Sequence, residues 1–316
     1  MPLCHHHHPL RASLKPMDPL IILFGLGVGV LIGLTGIGGG SLMTPLLLIV
    51  GGYQPVVAIG TDVAYGAITK TVGGWRHLRA GHVDVRLSWW LAAGSVPGSL
   101  VGVVAINELH SAYGEAFESY LLAAVAVSLM LASAATLFRS LFRPGLIAKE
   151  RESAVLQRRV SKVVTVAIGA VLGFILGLTS VGSGALVGLA LIMLYKLKPR
   201  RVVGTDVFHA GVLLWTAGIA HLVSGNVDLG LMATILVGSL PGVWIGTALV
   251  PKVPVAGLRL GLGVILAAAS LGILSKADVD VPAGAILGIP ALLAVVCVVV
   301  SRQQASARAR LAPADA

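Results

Sequence analysis

The chain is expected to be an all-α polytopic membrane protein, an inverted repeat of two units with about 7–9 transmembrane segments, and three observations predict it. Of its 316 residues 56% are hydrophobic and 11% charged, with a mean hydropathy of +0.93. Soluble domains run at roughly 45–50% apolar and roughly 25% charged, so this composition belongs in lipid. The apolar residues gather into runs of bilayer-spanning length, since about 20 residues suffice to cross. Finally, the chain matches itself at a constant shift of 144 positions, Thr35 falling on Thr179 and Asp62 on Asp206.

The runs follow one another in a regular order. A polar leader occupies residues 1–17. Its His5 to His8 tract stands in a polar stretch and reads as a tail rather than a metal site. A first membrane repeat, 18–140, holds apolar runs near 20–50, 55–75, 87–107 and 119–138. A basic linker, 141–160, with Arg143, Lys149, Arg151, Arg158 and Arg159, is expected in the cytoplasm. A second repeat, 161–275, holds runs near 162–195, 202–223, 229–250 and 257–274. An additional C-terminal transmembrane helix, 276–301, precedes a polar tail, 302–316. Runs 20–50 and 162–195 are too long for one crossing and are interrupted by glycine and serine, so each heads its unit as a broken or re-entrant segment.

The shift of 144 needs no gap. It carries Gly60-Thr61-Asp62-Val63 onto Gly204-Thr205-Asp206-Val207, Val83-Asp84 onto Val227-Asp228, and Pro97-Gly98 onto Pro241-Gly242. Equivalent turns carry opposite charge. Gln54 and its neighbours are neutral where Lys198, Arg200 and Arg201 are basic; Arg76, Arg79 and Arg86 face Ala220, Val223 and Gly230; Glu108 and Glu115 answer Lys252 and Arg259. Lys and Arg in short loops mark the cytoplasmic side, so equivalent turns are expected on opposite sides. An odd number of crossings per unit is obtained if each broken segment dips in and returns; a first segment that crosses fully, at the cost of the symmetry, is the alternative. The same distribution explains the net charge of +10 without nucleic acid, because the basic residues sit in short loops between apolar runs. Cys4 and Cys297 lie at opposite ends of the chain and suggest neither a disulfide nor thiol chemistry.

The candidate site follows from the breaks. Thr35-Gly36-Ile37-Gly38-Gly39-Gly40-Ser41 can adopt positive φ and uncover successive N–H groups just before a helix expected to start near Ser41. Donors and helix dipole there both favour an anion. The partner stretch, Thr179-Ser180-Val181-Gly182-Ser183-Gly184, replaces two glycines by Ser180 and Ser183 and offers hydroxyls. Irregular backbone in a bilayer survives only against protein or a wet cavity, so the two loops should meet near the midplane. The substrate-binding candidates are Thr35, Gly36, Gly38, Gly39, Gly40, Ser41, Thr61, Thr179, Ser180, Gly182, Ser183, Gly184 and Thr205. Asp62 and Asp206 are costly intramembrane carboxylates and the candidates for coupling. They would protonate, bind a cation, or hold loop N–H groups and threonines in place. Lys70 is expected to snorkel to the cytoplasmic surface, His77 and His221 to sit at interfaces or cap helices, and Trp75, Trp89 and Trp90 to form an aromatic belt.

Glycines 36 to 40 with Pro45, Ala58-Ile59-Gly60-Thr61, the turn from His77 to Asp84, and Gly94, Gly98 and Gly102, all echoed in the second half, resemble the TauE/SafE sulfite exporter family of membrane permeases. The resemblance covers about residues 20–275. It implies a multi-pass transporter of the plasma membrane, the bacterial inner membrane, acting on sulfite, organosulfonates or related organic anions. A secondary transporter working by alternating access, with protons as a coupling ion, explains the repeat, the paired loops and the carboxylates together. A passive anion or small-solute channel is the alternative, and it needs no titratable pair. HExxH, GxSxG, P-loop and metal-spaced clusters are all missing from the sequence, so neither catalysis, a cofactor nor a metal is expected. The expected partners are a small anionic substrate and the lipid bilayer, not nucleic acid, with a homo-oligomer left open.

Overall fold

Proline and glycine punctuate the chain where the helices begin and end. A computed structural model of the protein describes residues 18–35, 39–142, 160–195, 197, 199–249, 255–277 and 279–311. These form α1 (Pro19–Thr35), α2 (Gly40–Ile49), α3 (Pro55–Arg79), α4 (Val85–Tyr113), α5 (Glu115–Phe142), α6 (Lys162–Thr179), α7 (Leu186–Tyr195), α8 (Pro199–Val223), α9 (Leu229–Leu249), α10 (Val255–Leu274) and α11 (Ala283–Leu311). Pro55 and Pro199 open α3 and α8, where the missing N–H has no intrahelical partner to lose. Asp84 and Asp228 cap α4 and α9 by accepting the Leu87 and Leu231 N–H groups at 3.1 and 2.9 Å. Gly81 and Gly225, with φ of 69° and 77°, turn the chain into those caps.

Six helices, α4, α5, α6, α8, α9 and α10, are long and apolar enough to cross a membrane, and α1, α2, α7 and the Gly284–Val300 part of α11 are shorter apolar helices. The protein is therefore an all-helical, multi-pass membrane protein. No strand occurs among the described residues. The broken segments are two helices each, α1 with α2 and α6 with α7. In one respect the expected boundaries change: α11 continues to Leu311, so most of the 302–316 stretch expected as a polar tail extends the last helix. The polar leader and nearly all of the basic linker lie outside the described residues.

Glycines decide how the helices pair. A Cβ on Gly25, Gly29 or Gly33 of α1 would stand 2.7, 2.4 or 2.5 Å from the carbonyl oxygens of Ile235, Ser239 and Val243 on α9. Only glycine permits that approach, and because both numbers rise together the two helices run parallel. The equivalent pair repeats the pattern, Gly169, Gly173 and Gly177 of α6 lying against the carbonyls of Leu91, Ser95 and Ser99 on α4. Equivalent helices, by contrast, meet head to tail. Gly66 lies against Leu214 and Gly73 against Val207 between α3 and α8, while the Ser133 hydroxyl donates to Gly263 O and that of Ser270 to Ala126 O, both at 2.7 Å, between α5 and α10.

The same exchange recurs at the hydrogen-bond level. Asp228 N–H donates to the Thr61 hydroxyl at 3.0 Å, and Asp84 N–H donates to the Thr205 hydroxyl at 2.9 Å. These contacts also show where the broken segments begin and end. Since α1 begins beside the start of α9 and runs along it as far as Thr247, and Gly60 of α3 abuts Asn226 just before α9, the starts of α1 and α3 lie at one end of the bundle. Likewise α6 begins beside the start of α4, and Gly204 of α8 abuts His82 just before α4, so the starts of α6 and α8 lie at the other end.

Candidate functional site

The two interrupted segments meet inside the bundle. A Cβ on Gly40 would stand 2.3 Å from the Ser180 carbonyl oxygen, so the start of α2 and the end of α6 touch backbone to backbone. The expected positive φ appears on the second loop, at Ser180 (59°), Gly182 (141°) and Gly184 (89°). Gly39 is instead right-handed, with φ of −57°, already in the geometry of the α2 helix that begins at Gly40. Gly36 and Gly38 lie outside the described residues. Ser180 in the left-handed region is a backbone choice that glycine would make more easily, and its hydroxyl is fixed in return: it donates to Asp62 Oδ2 at 2.9 Å.

Asp62, on α3 and 1% exposed, accepts from Ser180 and, in a short hydrogen bond, from Thr44 of α2. Its other oxygen, Oδ1, has no hydrogen-bond partner among the described residues. Asp206, on α8 and 4% exposed, accepts the Gly184 N–H at 3.2 Å. Each carboxylate thus holds part of the second loop. Of the donors expected to face substrate, the Gly184 N–H and the Ser180 hydroxyl are directed to aspartates. The hydroxyls of Thr61 and Thr205 accept from main-chain N–H groups on the seam between the halves, and those of Thr35 and Thr179 donate back to Leu31 O and Ile175 O, both at 2.7 Å. Ser41 Oγ is buried without a hydrogen-bond partner among the described residues, and Ser183 is buried.

A pocket opens where the loop ends reach α5, α8 and α10. It is lined by Thr35, Thr136, Arg139, Gly184, Val203, Asp206 and Arg259. Arg139 donates to Gly184 O at 2.8 Å and Arg259 to Thr35 O at 3.4 Å, so each guanidinium ties down the carbonyl end of one loop. An arginine has five N–H donors in a planar fork, which leaves capacity for a bidentate oxyanion. The sequence reading missed this pair. Arg139 stood at the start of the linker and Arg259 beside a turn, each resembling an interfacial charge. The available signal was their position three or four residues inside apolar helices.

Two further expectations are corrected by packing. Lys70 does not snorkel: it is 5% exposed, its Nζ has no hydrogen-bond partner among the described residues, and Asp206 lies within electrostatic reach. The close α3–α8 contact closes over it, as Gly211 packs against its backbone. His221 is not interfacial but fully buried, in hydrogen-bond contact with Gly177 O at 3.2 Å and Asn226 at 3.3 Å, because the turn after α8 folds against α6. Trp75 and Trp89 are exposed as a belt requires, and Trp75 carries Arg79 over its ring at 4.0 Å. His209, which drew no attention in the sequence, is buried and bonded to Ser95 of α4 at 2.8 Å. Cys297 is a buried free thiol.

Comparison with known proteins agrees with this architecture. A probable membrane transporter protein of Bacillus subtilis, YjnA, is 39% identical over 236 residues, covering 75% of this chain and 91% of that protein. A second B. subtilis protein described in the same words, YunE, is 28% identical over 236 residues, 72% of this chain and 85% of that protein. A probable membrane transporter protein of Xylella fastidiosa is 29% identical over 251 residues, with 75% and 87% covered. No solved structure matches the chain. The profile of the sulfite exporter TauE/SafE family matches residues 21–273, and the chain belongs to that family of membrane transporters.

Proposed function

We propose that the protein is a secondary transporter that carries a small anion, such as sulfite, an organosulfonate or a related organic anion, across the plasma membrane by alternating access. The observation that carries the reading is the convergence of Arg139, Arg259 and the ends of both interrupted segments on one pocket. Two guanidiniums beside a buried backbone loop favour an oxyanion, which takes paired N–H donors in the geometry of their forks. The glycine loops serve less as the ligand cradle than as the surfaces on which the arginines and aspartates are mounted. Because each interrupted segment returns to the end it came from, the two can rock against each other without a full helix having to slide.

Orientation follows from charge. Arg76, Arg79 and Arg86 flank the turn that Gly204 approaches, near Arg200 and Arg201 at the start of α8, so the basic residues of both halves gather at one end of the bundle. That end is cytoplasmic by the positive-inside rule, the two repeats lie inverted across the membrane, and the antiparallel packing of α3 on α8 supports the inversion. The arginine pocket lies toward that cytoplasmic end, since Arg139 stands near the end of α5 and Arg259 and Val203 near the starts of α10 and α8. Uptake of labelled sulfite and of a small sulfonate into proteoliposomes, with and without a pH gradient, tests the reading. Saturable flux that accumulates anion against its gradient is expected. Non-saturable flux that only equilibrates would make the protein a channel.

A further inference from the structure

The two aspartates occupy equivalent positions, yet their surroundings are not equivalent. Asp206 is set among fixed positive charge. Arg139 and Asp206 bind the two faces of one residue, the guanidinium on Gly184 O and the carboxylate on Gly184 N–H. Arg259 lines the same pocket from α10, and Lys70 of α3, buried without a hydrogen-bond partner among the described residues, acts on Asp206 electrostatically. Position 214, the equivalent of Lys70, is Leu214. Among the described residues Asp62 has only neutral donors, Thr44 from α2 and Ser180 from the second loop, whose hydroxyls both reach Oδ2, while Oδ1 has no side-chain partner.

Other titratable groups near Asp62 do not supply a countercharge. Tyr65 on its own helix is a phenol, Asp228 at the start of α9 caps Leu231, and His221 of α8 is engaged with Gly177 and Asn226. No lysine or arginine among the described residues acts on Asp62. A buried carboxylate without a cation is costly, and neutralisation relieves the cost. A metal cation would need several more oxygen ligands and room for them, whereas a proton needs neither; no metal-binding cluster of His, Cys, Asp and Glu occurs among the described residues.

Resting on the transporter reading, we propose that Asp62 alone carries the coupling proton, and that Asp206 is a permanently ionised positioning residue that balances Lys70 and holds the second loop. Protonation of Asp62 weakens its acceptance from the Ser180 and Thr44 hydroxyls and frees them to reorient, and loss of the proton tightens both bonds, which links protonation to the contact between the two interrupted segments.

Purified protein in detergent tests the assignment without any transport. Infrared spectroscopy at neutral pH should show the carbonyl stretch of a protonated carboxylic acid that disappears in Asp62→Asn and persists in Asp206→Asn. Asp206→Asn should lower the unfolding temperature by about 10 °C through an unbalanced buried cation, and Lys70→Met added to it should restore most of the loss. In proteoliposomes, Asp62→Asn should lose the acceleration by a pH gradient while still exchanging labelled for unlabelled anion; Asp62→Glu should keep it. The gradient dependence should persist in Lys70→Met with Asp206→Asn, whatever the rate. An infrared band that follows Asp206, a lack of rescue by Lys70→Met, or acceleration by the gradient in Asp62→Asn would overturn the division of roles. Absence of anion flux in the wild type would instead refute the transporter reading, and the infrared and thermal results would still decide which carboxylate holds the proton.

Discussion

A methyl group added at Gly40 would stand 2.3 Å from the Ser180 carbonyl oxygen, a main-chain atom with little freedom to move. At Gly39 the nearest neighbours are side-chain atoms of Ile32 and Tyr65, at 3.0 and 3.1 Å. Gly40→Ala should therefore separate the two loops and abolish most anion exchange, whereas Gly39→Ala should retain a larger share; exchange rates at matched protein density check the order. The loops themselves could be read in the sequence, because glycine and serine interrupt apolar runs that are otherwise too long. Their hydrogen-bond partners could not. Nothing in the order of residues says that the Ser180 hydroxyl will be taken by Asp62, or that Arg139 and Arg259, 120 positions apart, will face one pocket. Lys70 misled for a related reason: its distance from a helix end suggests snorkelling, and only the packing of α8 over α3 denies it an exit.

At the scale of the element, the parallel pairs α1 with α9 and α4 with α6 are zipped by glycine against carbonyl oxygen. Lipid offers no hydrophobic drive for helices to associate, so close backbone packing carries that task. Gly29→Ala places a Cβ 2.4 Å from Ser239 O, while the same change at Gly27, where nothing lies within 4 Å, meets open space. The first should cost about 1–3 kcal/mol as overpacking and lower the unfolding temperature by roughly 3–10 °C, and the second should be neutral within about 0.5 kcal/mol. Thermal unfolding in detergent distinguishes them. Helix positions were legible because hydropathy, proline at helix starts and glycine at helix ends agree. The partners of each helix were not, since equal glycine spacing suits many neighbours; the fit of each glycine to one particular carbonyl settles it.

For the whole molecule, the exchange of Thr61–Asp228 for Asp84–Thr205 ties the halves together through bonds that would have to break or persist jointly in any rocking motion. If the bundle crosses the membrane as its charges indicate, the turn at Gln54 and the turn at His82 lie on opposite faces. Single cysteines introduced at those positions in Cys4- and Cys297-free protein should react with an impermeant thiol reagent from outside at position 54 and only from inside at position 82. Labelling of both from one side would refute the inverted arrangement. The repeat was legible at the level of identity, through the constant shift, while its consequence, antiparallel packing of equivalent helices, needed the three-dimensional contacts.

The central claim is that a small anion binds between Arg139 and Arg259. The most direct measurement is the concentration dependence of labelled sulfite exchange in proteoliposomes for wild type, Arg139→Gln and Arg259→Gln. A hydrogen bond to a charged group contributes about 1.5–3 kcal/mol, so each variant should raise the half-saturating concentration on the order of 10- to 100-fold. An unchanged half-saturating concentration in both variants, with exchange still saturable, would place the anion elsewhere and contradict the account.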